Sequence, residues 1–186
     1  MSKAIVLTQY SAPDDVAPAS VAIPADCLRA RYRALQGAPA LVTVDYFTDL
    51  AAIGACEDLA AASAGVARYL CVESQDSGSY AGVHRVLMIV AFQVPATRVA
   101  EVERWYREEH GPMLLRAPGW LRMRRYRLHA GMGGKLWTHL ALHELRDAAV
   151  LDSAERALAR CTPWRAQLER ESWFAQAGRF VYEYMP

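Results

Sequence analysis

The sequence predicts an α+β fold in which two related units, each close to β-α-β-β-α-β, join antiparallel sheets into one α/β barrel. Short β-branched and aromatic segments alternate with amphipathic or alanine-rich segments along all 186 residues. A polar, glycine-bearing segment at 75–85 separates two halves with the same order of elements. The halves also share a faint internal match, in which 41–50 (LVTVDYFTDL) aligns with 136–145 (LWTHLALHEL). These observations favour a duplicated chain.

The first half, 1–76, is expected to be a degenerate copy of this unit. Its strands are predicted at 3–10, 41–47 and 66–73. A helix is predicted over 23–36, because Pro24 suits its first turn and Gly37 the position after its end. A second, alanine-rich helix is predicted over 50–62. The second strand of a complete unit is not recognisable.

The second half, 86–186, shows the complete order. Its strands are predicted at 86–94, 120–128, 135–145 and 178–185, and its helices at 98–110 and 147–172, with an interruption at Pro163. In such a unit both helices cover one face of a four-stranded sheet. The other face is apolar and needs a cover, which the sheet of the first half would provide.

Composition narrows the function. The chain is 53% hydrophobic, enough for a sizeable core, and its net charge of +1 argues against nucleic acid as a partner. No segment reaches the roughly 18 apolar residues of a membrane span, and the N-terminus does not resemble a secretory signal. The four cysteines are widely spaced without a CxxC pair, which is typical of reduced thiols. We therefore expect a cytoplasmic protein without membrane or nucleic-acid partners.

The helix at 98–110 carries the first candidate site residue. Its periodicity places Val102, Tyr106 and His110 on one side, with Trp105 beside them. Gly111-Pro112 is predicted to end the helix, since the residue before proline avoids the α region. His110 is then either a C-terminal cap that interacts with the helix dipole or a general acid or base at a cavity mouth.

The strand at 120–128 has no cleanly apolar face. Alternation places Arg124 and Tyr126 on one face and Arg125 on the other. One arginine is expected to enter a polar interior. It either forms an ion pair with Glu144 or Glu183 on a neighbouring strand, or clamps a carboxylate or phenolate ligand.

The strand at 135–145 separates into two faces. Leu140 and Leu142 are predicted to pack under the helices, and Trp137, His139 and His143 to face the partner sheet or a cavity. The two histidines are four residues apart, roughly 13 Å at ~3.3 Å per residue, too far to ligate one metal. No metal site is expected. His139 is either a core residue or a catalytic one.

The run WYREEHGPMLLRAPGWLRMRRY (105–126) resembles the helix-to-strand signature of EthD-like proteins, members of the dimeric α/β-barrel superfamily. The shared features are an aromatic pair, a histidine two residues before a proline, a Pro-Gly turn and Arg-Arg-Tyr. The matched positions are Trp105, Tyr106, His110, Pro112, Pro118, Gly119, Arg124, Arg125 and Tyr126. The resemblance covers 86–185; residues 1–85 share only the order of elements. It implies ferredoxin-like units whose sheets pair around a cavity. Many members are single units, whereas two are predicted here, so two arrangements stay open: the barrel closes within one chain, or each chain forms a homodimer as well.

These observations predict a small-molecule site inside the barrel. The expected catalytic residues are His110 and His139, and the expected substrate-binding residues are Trp105, Tyr106, Arg124, Arg125, Tyr126 and Trp137. The expected ligand is a small aromatic, polyketide-like or lactone molecule, and the expected activity is that of a lyase, isomerase, cyclase or monooxygenase that uses no cofactor. Two alternatives remain open: a non-catalytic carrier, accessory or stress-response protein, and a haem-binding protein.

Overall fold

Eight antiparallel strands close into a barrel. The structure, a computed structural model, describes residues 3–12, 27–37, 39–55, 65–78 and 84–186. The strands are β1 (Ala4–Tyr10), β2 (Leu28–Ala34), β3 (Leu41–Phe47), β4 (Val66–Ser77), β5 (Val86–Phe92), β6 (Trp120–Met132), β7 (His139–Leu145) and β8 (Gly178–Met185). Their order around the barrel is β1-β3-β2-β8-β5-β7-β6-β4.

The barrel consists of two sheets with equivalent topology, β4-β1-β3-β2 and β8-β5-β7-β6, joined where β2 pairs with β8 and β6 with β4. Each has the strand order of a ferredoxin-like unit, so the predicted duplicated α+β barrel is confirmed. Ala4 pairs with Phe47, and Val86 pairs with Leu145. Phe47 therefore corresponds to Leu145 in the structure. The sequence alignment of 41–50 with 136–145 is displaced by three residues from this structural correspondence.

The strand β2 replaces a predicted helix. The helix prediction for 23–36 is wrong over Leu28–Ala34, and residues 23–26 lie outside the described part. The arginine-, leucine- and alanine-rich segment has high helix propensity, but it also alternates, with Ala30 and Tyr32 buried between arginines. Pairing with β3 and β8 on both sides outweighs the propensity. This is the second strand of the first half, which the sequence pattern does not reveal.

The predicted helix 98–110 extends further than expected. It comprises a 3-10 turn (Ala96–Arg98), α1 (Val99–Trp105), a π turn (Tyr106–His110) and α2 (Gly111–Leu114). The prediction that Gly111-Pro112 ends the helix is wrong. In the π turn the Gly111 N–H donates to the Tyr106 carbonyl. This wider turn accommodates Pro112, which lacks the N–H that a regular helix uses, in the first turn of α2.

The predicted helix 147–172 divides into shorter pieces. They are a 3-10 turn (Ala148–Asp152), α3 (Ala154–Ala159), α4 (Pro163–Glu169) and α5 (Ser172–Ala175). Thr162 caps α4, with Pro163 at its start. In the first half, Leu50–Ala55 is a 3-10 rather than an α-helix, and 56–62 lies outside the described residues. Within the described ranges no helix is long and apolar enough to span the membrane.

The two larger hydrophobic cores lie on opposite faces of the sheet, and a small third core packs Ile53 of the first half against strands β1, β3 and β4. The barrel interior receives side chains from all eight strands, whereas a second core lies between the second-half strands and α1–α5. Leu140 and Leu142 belong to the interior, and Ala141 and Leu145 to the helix side. The predicted faces of His139–Leu145 are therefore reversed: His139 and His143, which alternate with the leucines, point toward the helices. Trp137, just before the strand, lies in the barrel interior as predicted.

Simple alternation would place Trp120 and Tyr126 on the same face of β6, but a register shift places them on opposite faces. The pairing with β7 shifts between Trp120 and Arg122. Trp120 consequently packs on the helix side with Met123, while Tyr126 packs in the barrel interior. The shift brings the Trp120 indole next to His143 of β7.

Gly133→Ala is expected to destabilise the chain by about 3 kcal/mol, because a left-handed φ and a backbone clash act together. Gly133 has φ +70°, and a Cβ there would overlap the Val66 carbonyl oxygen. Gly37 has φ +72° with open space around it, so Gly37→Ala should cost only about 1 kcal/mol. Urea denaturation of both variants measures the difference. Equal losses would contradict the clash.

Candidate functional site

The expected site residues separate onto the two faces of the sheet. On the helix side lie Trp105, Tyr106, His110, Arg125 and His139; in the barrel interior lie Arg124, Tyr126 and Trp137. Neighbouring residues of a strand point to opposite faces, so Arg124 and Arg125 cannot serve one site. The structure therefore does not bring the expected residues together, and each group has its own surroundings.

A cavity of about 70 Å³ lies between β5–β7 and the helices of the second half. Its wall is largely apolar and aromatic, with two histidines and four arginines. The lining residues are Met88, Val90, Phe92, Trp105, Tyr106, His110, Leu114, Trp120, His143, Arg156, Arg160, Arg165, Phe174 and Arg179. We call it the helix-side cavity. An apolar wall with a few converging polar groups is typical of small-molecule sites.

His110 lies on the π turn and presents one ring nitrogen for chemistry. The ring is buried and stacks on Trp105, with ring centroids 4.3 Å apart. Its Nδ1 lies 3.3 Å from the Ala159 carbonyl oxygen. The carbonyl can only accept, so Nδ1 carries the proton and Nε2 keeps a lone pair. Because the helix continues into α2, the interpretation of His110 as a C-terminal cap is wrong.

His143 has the complementary tautomer. Its Nδ1 accepts a hydrogen bond from Trp120 Nε1 at 3.2 Å, so the proton is on Nε2. That Nε2 is buried and has no hydrogen-bond partner among the described residues. The cavity thus contains one histidine with a proton-accepting nitrogen, His110, and one with a hydrogen-bond-donating nitrogen, His143.

Both rings are neutral at neutral pH. Burial, followed by His143 and Arg165, lowers the pKa of His110 well below its usual value. Burial, followed by Arg125 and Arg156, lowers the pKa of His143 to about 3. A neutral imidazole can accept a proton or donate a hydrogen bond, as the two tautomers require.

The rim of the cavity carries excess positive charge. Arg165 pairs with Glu169, with Nη2 2.7 Å from Oε1. Within the described part of the chain, no carboxylate lies within 4.0 Å of the Arg156, Arg160 or Arg179 guanidinium. Arg156 donates instead to the Leu151 carbonyl, and Arg179 to the Ala177 carbonyl at 3.3 Å. The sequence did not predict these arginines as site residues. The spacing of Arg156 and Arg160, one helical turn apart, is the one signal that they share a face.

His139 lies at the opposite end of β7 from the helix-side cavity. It is buried, and its Nδ1 is 2.9 Å from Thr138 Oγ1. Burial, Arg125 and Arg127 lower its pKa to about 4. It is not among the residues that line the cavity, whereas His143 is. This position favours a core role for His139.

Arg124 forms an internal ion pair at one end of the barrel. Its guanidinium binds the Glu144 carboxylate and lies 4.3 Å from the centre of the Tyr46 ring. The structure thus supports the ion-pair interpretation of this arginine. Tyr126 is buried in the same interior core.

Trp137 lines a second cavity, of about 590 Å³, at the other end of the barrel. Lys135 lies over its ring at 4.4 Å, and Tyr69 and Phe180 complete the aromatic part of the wall. The two cavities share no lining residue.

Haem does not fit the helix-side cavity. His110 and His143 line it, and an imidazole nitrogen can ligate iron. The cavity of about 70 Å³ is, however, much smaller than the roughly 300 Å³ at which pockets for drug-sized ligands begin, and a porphyrin is at least that large. His139, the other predicted ligand, is packed against Thr138 outside the cavity.

Solved structures with the same fold span almost the whole chain. An anthrone oxidase-like protein superimposes with a TM-score of 0.68 at 9% identity, covering 100% of this chain and 92% of that chain. A monooxygenase-like protein from Listeria innocua gives 0.58 at 11% identity, covering 99% and 94%. A variant chlorite dismutase from Candidatus Nitrospira defluvii gives 0.58 at 13% identity, covering 100% and 91%.

At these identities the likeness establishes the fold. The chain is an α/β barrel of two ferredoxin-like units. No family model and no curated protein matches the sequence.

Proposed function

We propose that the chain is an EthD-like enzyme that removes a proton from a small acidic molecule in the helix-side cavity without a cofactor. One observation carries the proposal: His110 and His143 line the same cavity with opposite tautomers. The resemblance to EthD-like proteins supports it, since Trp105, Tyr106 and His110 of the matched run line that cavity.

His110 is the proposed base. Its Nε2 lone pair takes a proton from an acidic C–H or O–H bond of the substrate, and the electron pair of that bond moves onto the substrate oxygen. His143 Nε2–H donates a hydrogen bond to the resulting oxyanion. Returning the proton to another atom gives an isomerase, and loss of a leaving group gives a lyase. Stacking on Trp105 fixes the His110 ring during the transfer.

A negatively charged substrate strengthens this base. Nearby negative charge favours the imidazolium, so binding raises the pKa of His110 from its depressed value. His110 thus becomes a better proton acceptor when the substrate is in place. The small volume of the cavity favours a lactone or short keto acid over a fused-ring polyketide.

His110→Gln is expected to lower proton exchange of a bound keto acid or lactone at least about 100-fold, because the lone pair of His143, the other neutral imidazole of the cavity, already accepts a hydrogen bond from Trp120. Hydrogen–deuterium exchange of acetoacetate and α-angelica lactone in D₂O, followed by NMR, measures proton removal apart from any later step. The matched control is His139→Gln, a buried histidine outside the cavity, which should exchange at the native rate.

Two results would refute this role. One is undiminished exchange by His110→Gln with its circular dichroism spectrum intact. The other is loss of exchange in His139→Gln but not in His110→Gln. If the native chain binds these molecules without exchanging their protons, a carrier role replaces the enzymatic one.

A further inference from the structure

We infer that the ligand of the helix-side cavity carries two negative charges on oxygen, as a dicarboxylate or a phosphate monoester does. The inference rests on the proposed function, because it specifies the substrate class of the same cavity. It depends on the arginines of the rim, which the proton transfer itself does not explain.

Three separate elements bring these arginines to one place. Arg156 is on α3 and Arg160 directly follows it, Arg165 is on α4, and Arg179 is on β8. Their guanidiniums repel one another: after burial, Arg160 is the main cause of the lowered pKa of Arg156, and Arg165 that of Arg179. A fold that only needed solubility would place such charges apart, in water.

The four arginines that line the helix-side cavity differ in how far they are exposed to solvent. Arg160 and Arg179 are exposed, Arg156 is half-buried, and Arg165 is only 7% exposed beside the Phe174 ring. Burying a guanidinium is unfavourable unless an opposite charge compensates it. Glu169 pairs directly with Arg165, and it attracts Arg179 only at longer range, as Asp152 attracts Arg156. The remaining compensation must come from the ligand or from solvent ions.

Charge counting favours a doubly negative ligand. With Arg165 and Glu169 taken as a neutral pair, three guanidiniums around the cavity have no carboxylate within 4.0 Å among the described residues, and Asp152 and Glu169 attract Arg156 and Arg179 only from further away. A monoanion would leave two of them uncompensated, whereas a dianion leaves one, exposed to water. Carboxylates and phosphates both suit the planar guanidinium, which donates two parallel hydrogen bonds.

The test compares succinate with butyrate, two four-carbon chains that carry two charges and one charge. Isothermal titration at pH 7.5 and constant ionic strength should give a dissociation constant at least tenfold lower for succinate. Arg156→Gln should raise the succinate constant at least tenfold and change that of butyrate little. Arg170→Gln, an exposed arginine after α4 that does not line the cavity, should change neither. Arg160→Gln, at an exposed position, repeats the test if Arg156→Gln folds poorly.

Titration with inorganic phosphate distinguishes a phosphate monoester from a dicarboxylate as the ligand. Tighter binding of phosphate than of succinate indicates a phosphate ester, and the reverse order a dicarboxylate. Equal binding of succinate and butyrate, binding of neither dianion, or a succinate constant unaffected by both Arg156→Gln and Arg160→Gln would overturn the inference.

The inference and the proposed function fail separately. If succinate binding fails while exchange still depends on His110, only the charge of the substrate is wrong. If succinate binds selectively but no substrate exchanges, the cavity is a dianion site without proton transfer.

Discussion

Glu144→Gln is expected to lower the free energy of unfolding by about 3 kcal/mol or more, the usual cost of breaking a buried ion pair. Glu144 is 2% exposed and binds the Arg124 guanidinium inside the barrel. The amide keeps the size of the side chain and removes its charge. Arg124 then stays largely buried next to the Tyr46 ring without its paired carboxylate, and His84, whose Nδ1 lies 3.7 Å from a Glu144 oxygen, loses the same charge. The loss therefore comes from the arginine that remains.

Urea denaturation measures this loss of stability, and a variant of an exposed ion pair serves as the control. Arg107 and Glu108 form an exposed ion pair, so Glu108→Gln should change stability by less than about 1 kcal/mol. The double variant Arg124→Met with Glu144→Leu removes both charges. It should recover most of the stability that Glu144→Gln loses, since apolar side chains can replace a buried pair. A Glu144→Gln loss no larger than that of Glu108→Gln would contradict the argument.

The sequence predicts the order of the strands and helices better than it predicts which face of each strand points to the barrel interior. Most strands appear where short apolar runs predict them, because these runs are a local signal. Leu28–Ala34 was mistaken for a helix, since its residue types favour helix while its alternation favours strand. Only pairing with β3 and β8 decides between the two signals, and pairing is not local.

The candidate site was predictable in part for the same reason. The periodicity of one helix predicted the inward stripe of Tyr106 and His110, and both residues line the cavity. His143 was recognised as sharing a face with His139, but which face meets the helices depends on the closure of the barrel. The arginines come from three elements between 154 and 185, so no single motif predicts their meeting.

Lowering the pH is expected to destabilise the native chain more than it destabilises the His143→Gln variant. The pKa of His143 is about 3 in the folded chain, owing to burial, Arg125 and Arg156, and about 6.5 in an unfolded one. Below pH 6.5 the unfolded chain therefore binds a proton that the folded chain does not. Stability falls as the pH decreases from about 6.5 toward 3, and it is unaffected by this group above pH 7.

At about 1.4 kcal/mol per pKa unit, His143 alone should remove about 2 kcal/mol between pH 7 and pH 5. Glutamine cannot titrate but can still accept the hydrogen bond from Trp120 Nε1. Urea denaturation at both pH values should show this 2 kcal/mol decrease reduced in His143→Gln. His129→Gln, which removes an exposed histidine of β6, should retain the native decrease. If His143→Gln loses as much stability as the native chain over this range, the ring is not held neutral by the fold, and His143 Nε2–H could not serve as a fixed donor to an oxyanion.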